Sequence, residues 1–137
     1  MVDARGVTER LNRLGLLLEE LEQLQQKGRN AYEAEFEVRL ATEHALQIAV
    51  QICIDVGAHL IAEHGLKTPS DYKAVFDVLK AAGLDAGLAE RLGNAAGMRN
   101  VIVHEYLALD DDLVWAALEN LDDLRNFVVF VQQHLAE

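Results

Sequence analysis

Between Ala45 and Ile61 the chain is apolar on nearly every side of a helical projection, and this stretch constrains the fold more than any other. A helix with no face left for water must be surrounded by other helices, so a central position in a bundle is expected. The spacing predicts one long helix from about Ala31 to His64, charged in its first half (Glu33, Glu35, Glu37, Arg39) and ended by Gly65. Around it, Val7, Leu11, Leu14, Leu18, Leu21 and Gln25 recur at intervals of three and four, with Glu19, Glu20 and Glu22 off the stripe and Gly28 as its stop. Thr68-Pro69-Ser70-Asp71 reads as a turn, with Ser70 as N-cap for Tyr72, Val75, Phe76 and Leu79, and Gly83 ends that helix. Another begins near Asp85, carries Leu88, Leu92, Ala95 and Ala96, and runs to Gly97. Last, Val114, Ala117, Leu121, Leu124, Val128, Val131 and Leu135 form one seam. Asp110, Asp111 and Asp112 precede it, where a helix N-terminus favours negative charge. Three consecutive acids point in different directions on a helix, so capping suits them better than metal binding. No strand is predicted. The expected architecture is an all-α, up-and-down bundle of four to five helices, with residues 1–137 as one domain.

Composition narrows the functional classes. Apolar residues make up 51% of the 137, and Pro69 is the single proline, which argues against disorder. No uninterrupted apolar run reaches the roughly 18 residues of a membrane helix, and the N-terminus lacks the apolar core of a signal peptide. Cys53 is the one cysteine, which excludes an internal disulfide and suits a reducing, cytoplasmic location with no membrane association. Its apolar neighbours make it an inert core thiol. The formal net charge is −11 and there is no Lys/Arg cluster, so any nucleic-acid contact must depend on a few local arginines, joined from two subunits.

The concentrated chemistry lies in Gly97-Met98-Arg99-Asn100-Val101-Ile102-Val103-His104-Glu105-Tyr106. Gly97 permits a turn and the β-branched run is poor for helix; a kink or turn between Arg99 and His104 would bring the two together, which the spacing alone does not establish. Were the segment helical throughout, Arg99 and Tyr106 would share a face, with His104 well around the cylinder. Cleaving RNA without a metal needs a base for the 2′-hydroxyl, an acid for the leaving oxygen, and a cation at the phosphate oxygens. Histidine serves as base or acid, and arginine offers phosphate a planar fork of donors. One chain supplies one such histidine; a two-fold homodimer would bring two Arg99/His104 pairs to one groove. From the residues alone, Asn100 also suits a cap and Tyr106 an edge aromatic.

The run from Arg99 to Tyr106 resembles the signature of the HEPN superfamily, an arginine followed after four to six residues by a histidine. More narrowly, it is similar to the HepT-type toxins, which place a tyrosine two residues beyond that histidine. The blocks His44-Ala45-Leu46-Gln47, Cys53 to His59 and Pro69-Ser70-Asp71-Tyr72 resemble that family's segments in the same order. The resemblance implies a dimeric helical bundle acting as a metal-independent endoribonuclease toxin, needing no cofactor. It also implies a minimal nucleotidyltransferase antitoxin that uses ATP to place AMP on the motif tyrosine. Carried over, Arg99 stabilises the phosphate, His104 transfers protons, Asn100 supports them and Tyr106 accepts AMP. Glu43 and Asp55 are candidates to orient Arg99 across the bundle. No metal ligands are expected: His44 and His59 share a face but lie about four turns apart, and His64 and His134 fall at helix ends. The competing reading is a non-catalytic helical module that binds a nucleotidyltransferase or a nucleotide.

Overall fold

The structure is a computed structural model that describes residues 4–135. Among them are seven α-helices and no strand, where four or five helices are expected: α1 (Ala4–Lys27), α2 (Arg29–Ala34), α3 (Phe36–Glu63), α4 (Tyr72–Leu79), α5 (Ala86–His104), α6 (Asp111–Glu119) and α7 (Leu121–Leu135). Two short 3-10 turns, Lys80–Ala82 and Tyr106–Ala108, follow α4 and α5. As its composition requires, α3 runs through the middle and packs against each of the other six. It is also long and apolar enough to cross a membrane, but 67% of its most apolar window is buried inside the protein.

The extra helices arise from two breaks that the apolar pattern does not reveal. The segment from Ala31 to His64 is two helices, because Glu35 adopts an extended conformation (φ −105°, ψ 110°). Its amide still donates to the Ala31 carbonyl, and its own carbonyl accepts from Arg39. In one continuous helix Tyr32 and Phe36 would share a face. The break turns Tyr32 fully inside while Phe36 stays 70% exposed. The second break, at Asn120, divides the last seam; the Asn120 side chain bonds back to the Ala116 carbonyl at 2.6 Å. The buried seam consequently reads Val114, Leu118, Leu121, Leu124, Phe127 and Val131, whereas Ala117 and Val128 are half-buried and Leu135 is exposed.

Two further expectations change. Asp71, not Ser70, caps α4, its carboxylate accepting from the Ala74 amide at 2.8 Å. And α5 does not turn at Gly97; it continues through Val101, Ile102 and Val103 to His104. Burial of Met98 and packing of Ile102 against the core outweigh the weak helix propensity of the β-branched run. Gly28 and Gly83 do lie at positive φ (92° and 102°), and end α1 and the turn after α4 as expected.

Polar contacts fasten the helix ends. Asp110 caps α6 by accepting from the Asp112 amide at 2.8 Å. Asp111 instead takes both nitrogens of Arg39 at 2.6 and 3.0 Å, and Asp112 pairs with Arg29. The Arg39 guanidinium holds the Asp111 carboxyl below the usual carboxylate range. Beneath Arg39, the Tyr32 hydroxyl donates to Glu43 at 3.2 Å, and burial raises this phenol above its ordinary range. His134 sits with its ring nitrogens 2.8 Å from the Phe130 and Ala82 carbonyl oxygens, pinning the end of α7 to the turn after α4.

Candidate active site

The last turn of α5 carries the motif. Five residues of continuous helix separate Arg99 from His104, roughly 140° around and about 7.5 Å along the axis. Arg99 turns toward the start of α4. Its guanidinium carbon lies 5.4 Å from the centre of the Tyr72 ring, and its Nη1 donates to Asn100 Oδ1 at 3.0 Å. The Arg99 Nε–H is buried and has no acceptor among the described residues, which costs free energy. Asn100 is therefore exposed and engaged with Arg99 rather than capping a helix.

His104 is the final residue of α5 and is exposed. Glu105 leaves the helix at φ −138°, ψ 44°, its amide still bonded to the Val101 carbonyl. Tyr106 opens the following 3-10 turn, so it does not continue along the Arg99 face of the helix. Tyr106 is 69% exposed and Leu107 beside it 91%. The protomer thus brings Arg99 and Asn100 together and leaves His104 and Tyr106, two residues apart in the chain, both exposed at the helix end. No hydrogen bond or ion pair joins Arg99 to His104 among the described residues.

The two carboxylates expected to orient Arg99 are engaged elsewhere. Glu43 accepts from Tyr32 and lies 3.6 Å from Arg39. Asp55 accepts from Gln51 at 2.8 Å and lies 3.8 Å from Arg10 on α1. Both carboxylates face cations nearer to them, and Arg99 receives Asn100 and Tyr72 instead. Tyr72 is the site residue that the periodicity conceals, because it reads as the first apolar position of α4. It is 44% exposed, and the tyrosine–arginine stack forms only through tertiary packing.

The remaining candidates stay outside the site. His59 is buried, 3.9 Å from Glu63, and His64 packs edge-on to His134. Among the described residues no group of three or more His, Cys, Asp or Glu side chains is arranged to hold a metal ion. Burial pushes the Cys53 thiol up to about 12. Trp115 is half-buried, 6.3 Å from Tyr32. An apolar cleft of about 540 Å³ opens between α5 and α6, lined by residues that include Gly97, Met98, Val101 and Leu113. Neither Arg99 nor His104 lines it, whereas Lys73 does.

The ribonuclease HepT-like family profile matches residues 16–131. A tRNA nuclease HepT from Aphanizomenon flos-aquae is 28% identical over 93% of this chain and 86% of its own. A putative RNase from Archaeoglobus fulgidus is 32% identical over 69% of this chain and 82% of its own. Among solved structures, a tri-AMPylated HEPN toxin from Shewanella oneidensis, in complex with an MNT antitoxin, superposes with a TM-score of 0.84 at 22% identity. That match covers 93% of this chain and 96% of the toxin.

Proposed function

Because the chain belongs to the ribonuclease HepT-like family, we propose that it is the toxin of a toxin–antitoxin pair: a metal-independent endoribonuclease whose site is Arg99, Asn100 and His104. The observation that carries this reading is the exposed helix end that offers His104 and Tyr106 together, one turn beyond an arginine already held by Asn100. In the reaction, the 2′-oxygen attacks the adjacent phosphorus as its proton passes to a histidine. The bond to the 5′-oxygen breaks, and a second proton donor completes the alcohol. Charge builds on the non-bridging oxygens, where the Arg99 guanidinium is the matching donor. Asn100 acts on Arg99 rather than on the substrate, by fixing the guanidinium through Nη1.

The reaction wants two proton-transfer roles, on opposite sides of the phosphorus, and one protomer offers a single motif histidine. A two-fold homodimer with the α5 ends facing one groove supplies both, and joins two arginines against a net charge of −11 on each protomer. Within one protomer Arg99 and His104 lie on different sides of α5, which also favours completion across two subunits.

Silencing by a nucleotidyltransferase antitoxin through Tyr106 is part of this reading, and the exposure of Tyr106 is compatible with it. The phenol oxygen attacks the α-phosphorus of ATP, pyrophosphate leaves, and the phenol proton passes to solvent or a base. The product sets an anion and a bulky nucleoside two residues from His104, where it blocks the groove and repels RNA phosphate. The related toxin that carries AMP supports this assignment.

The test is RNA cleavage in EDTA by protein whose intact mass shows no AMP, compared with His104→Ala and Arg99→Ala. Cleavage that both substitutions abolish is the expected result. Failure of the unmodified dimer to cut any of a broad set of cellular RNAs would leave the non-catalytic binding module as the reading.

A further inference from the structure

The charge distribution poses a problem for any RNA-binding role, and its solution identifies a substrate-binding element outside the Arg/His motif. At −11 the protein's overall field repels RNA, so binding must occur where cations are not already neutralised. Most of the twelve Lys and Arg side chains are held by carboxylates. Those with no carboxylate in ion-pairing reach among the described residues are Arg13, Lys27, Lys67, Lys73 and Arg99. One of these, Arg99, lies over the partly exposed ring of Tyr72, and another, Lys73, is the next residue along α4. A third, Lys67, lies in the loop that enters α4.

The local structure explains why they collect there. Tyr72 and Lys73 open α4, held by the Asp71 cap. The Lys73 stem lies along α5 where Gly93 has no side chain; a Cβ there would come within 3.2 Å of Lys73 Cγ. Of the acids that share a hollow with Lys73, Asp71 accepts from the Ala74 amide and Asp77 pairs with Lys80 at 2.7 Å, while Glu90 lies across on α5 beyond ion-pairing reach of Lys73. A partly exposed ring bearing a guanidinium, on a helix that also carries an unpaired ammonium, suits single-stranded nucleic acid, whose bases stack on aromatics and whose phosphates meet cations.

We propose that Tyr72 is the nucleobase platform of the RNA site and that Lys73 holds a neighbouring phosphate, beside the phosphate bound by Arg99. This rests on the ribonuclease reading and names residues that the Arg/His motif does not contain. Tyr72 sets substrate position and affinity, while bond cleavage stays with Arg99 and His104.

The experiment is binding of a fluorescent single-stranded RNA in EDTA by His104→Ala protein, alone and combined with Tyr72→Ala, Tyr72→Leu, Tyr72→Trp, Lys73→Gln and Lys27→Gln. Thermal unfolding of each variant shows that the fold is kept. Tyr72→Ala and Tyr72→Leu are expected to weaken binding about tenfold, and Tyr72→Trp to preserve it, since only a π-face restores stacking. Lys73→Gln should weaken binding a few-fold and lower the salt slope by about one phosphate contact, and Lys27→Gln should change neither. In the active protein, Tyr72→Leu should raise KM more than it lowers kcat. Wild-type binding by Tyr72→Leu, or equal losses for Leu and Trp, would overturn the inference while Arg99- and His104-dependent cleavage survives. A protein that neither binds nor cuts RNA would overturn the ribonuclease reading and this inference with it.

Discussion

The same change, glycine to alanine, is predicted to have opposite signs at two positions inside helices. Gly15 lies on the exposed side of α1, and nothing stands within 4 Å of a Cβ built there. Only the backbone matters at that site, so Gly15→Ala should stabilise the protein by about 1 kcal/mol. Gly57 lies in the middle of α3, where α4 and α7 press against it. A Cβ there would sit 2.8 Å from Val75 Cγ1, 3.2 Å from Leu79 Cδ1 and 3.6 Å from Phe127 Cζ. Carbon atoms prefer separations of about 3.5–4.0 Å. Leu79 can swing its methyl aside, but Val75 is 2% exposed and its branched side chain has one favoured rotamer in a helix. α4 must therefore move, at an overpacking cost of about 1–3 kcal/mol against the same propensity gain. Gly57→Ala should come out neutral to about 2 kcal/mol less stable than wild type. The difference between the two variants isolates the steric term at about 1–3 kcal/mol, or several degrees in Tm for a chain of this length. Urea unfolding followed by far-UV circular dichroism, at one protein concentration, measures both. If Gly57→Ala is as stable as Gly15→Ala, the close packing of α4 on α3 is wrong.

Other consequences follow from single contacts. Asp71→Ala should cost about 1 kcal/mol, whereas Ser70→Ala should be near neutral; equal costs in denaturant unfolding would contradict the cap assignment. Asp111→Asn should destabilise by about 1–2 kcal/mol, because it breaks a two-pronged pair with Arg39. Since Asp111 titrates below its unfolded value of about 3.9, its contribution is present above that pH and fades as pH falls through the lower folded value. A stability–pH curve from pH 6 to 3 should therefore be flatter for Asp111→Asn than for wild type. Cys53, buried with its thiol pushed up to about 12, should resist thiol reagents at pH 8 until urea unfolds the chain. Rapid labelling of the native protein would show that α3 is not at the centre.

What the sequence revealed and what it hid have distinct physical causes. The apolar stripe of α1 and the all-round apolar α3 depend on many residues acting together, and both are legible from spacing alone. The breaks at Glu35 and Asn120 are not, because neither position carries Gly or Pro. At Asn120 the pattern runs on past the break with only a slight change of phase, so Leu121 and Leu124 sit where an unbroken helix would put them. Val101 to Val103 misled in the other direction: low intrinsic propensity was overridden by packing at Met98 and Ile102. The motif from Arg99 to Tyr106 stood out as a cluster of chemistry in an otherwise ordinary helical pattern. Its surroundings did not, since the stacking of Arg99 on Tyr72 joins residues 27 apart and the engagement of Asp55 depends on Arg10. Such pairings are decided by which helices meet, and no local pattern encodes them.

The most direct test of the central claim concerns the bond that is broken. An RNA whose cut site has been mapped with unmodified protein would be resynthesised with one 2′-deoxynucleotide on the 5′ side of that site, and both would be incubated in EDTA. The account predicts that the all-ribose RNA yields a 2′,3′-cyclic phosphate and a 5′-hydroxyl, and that the single deoxy substitution abolishes cleavage there. Cleavage of the deoxy-substituted RNA at the same bond, or products ending in a 3′-hydroxyl and a 5′-phosphate, would contradict attack by the 2′-oxygen at the Arg99/His104 site.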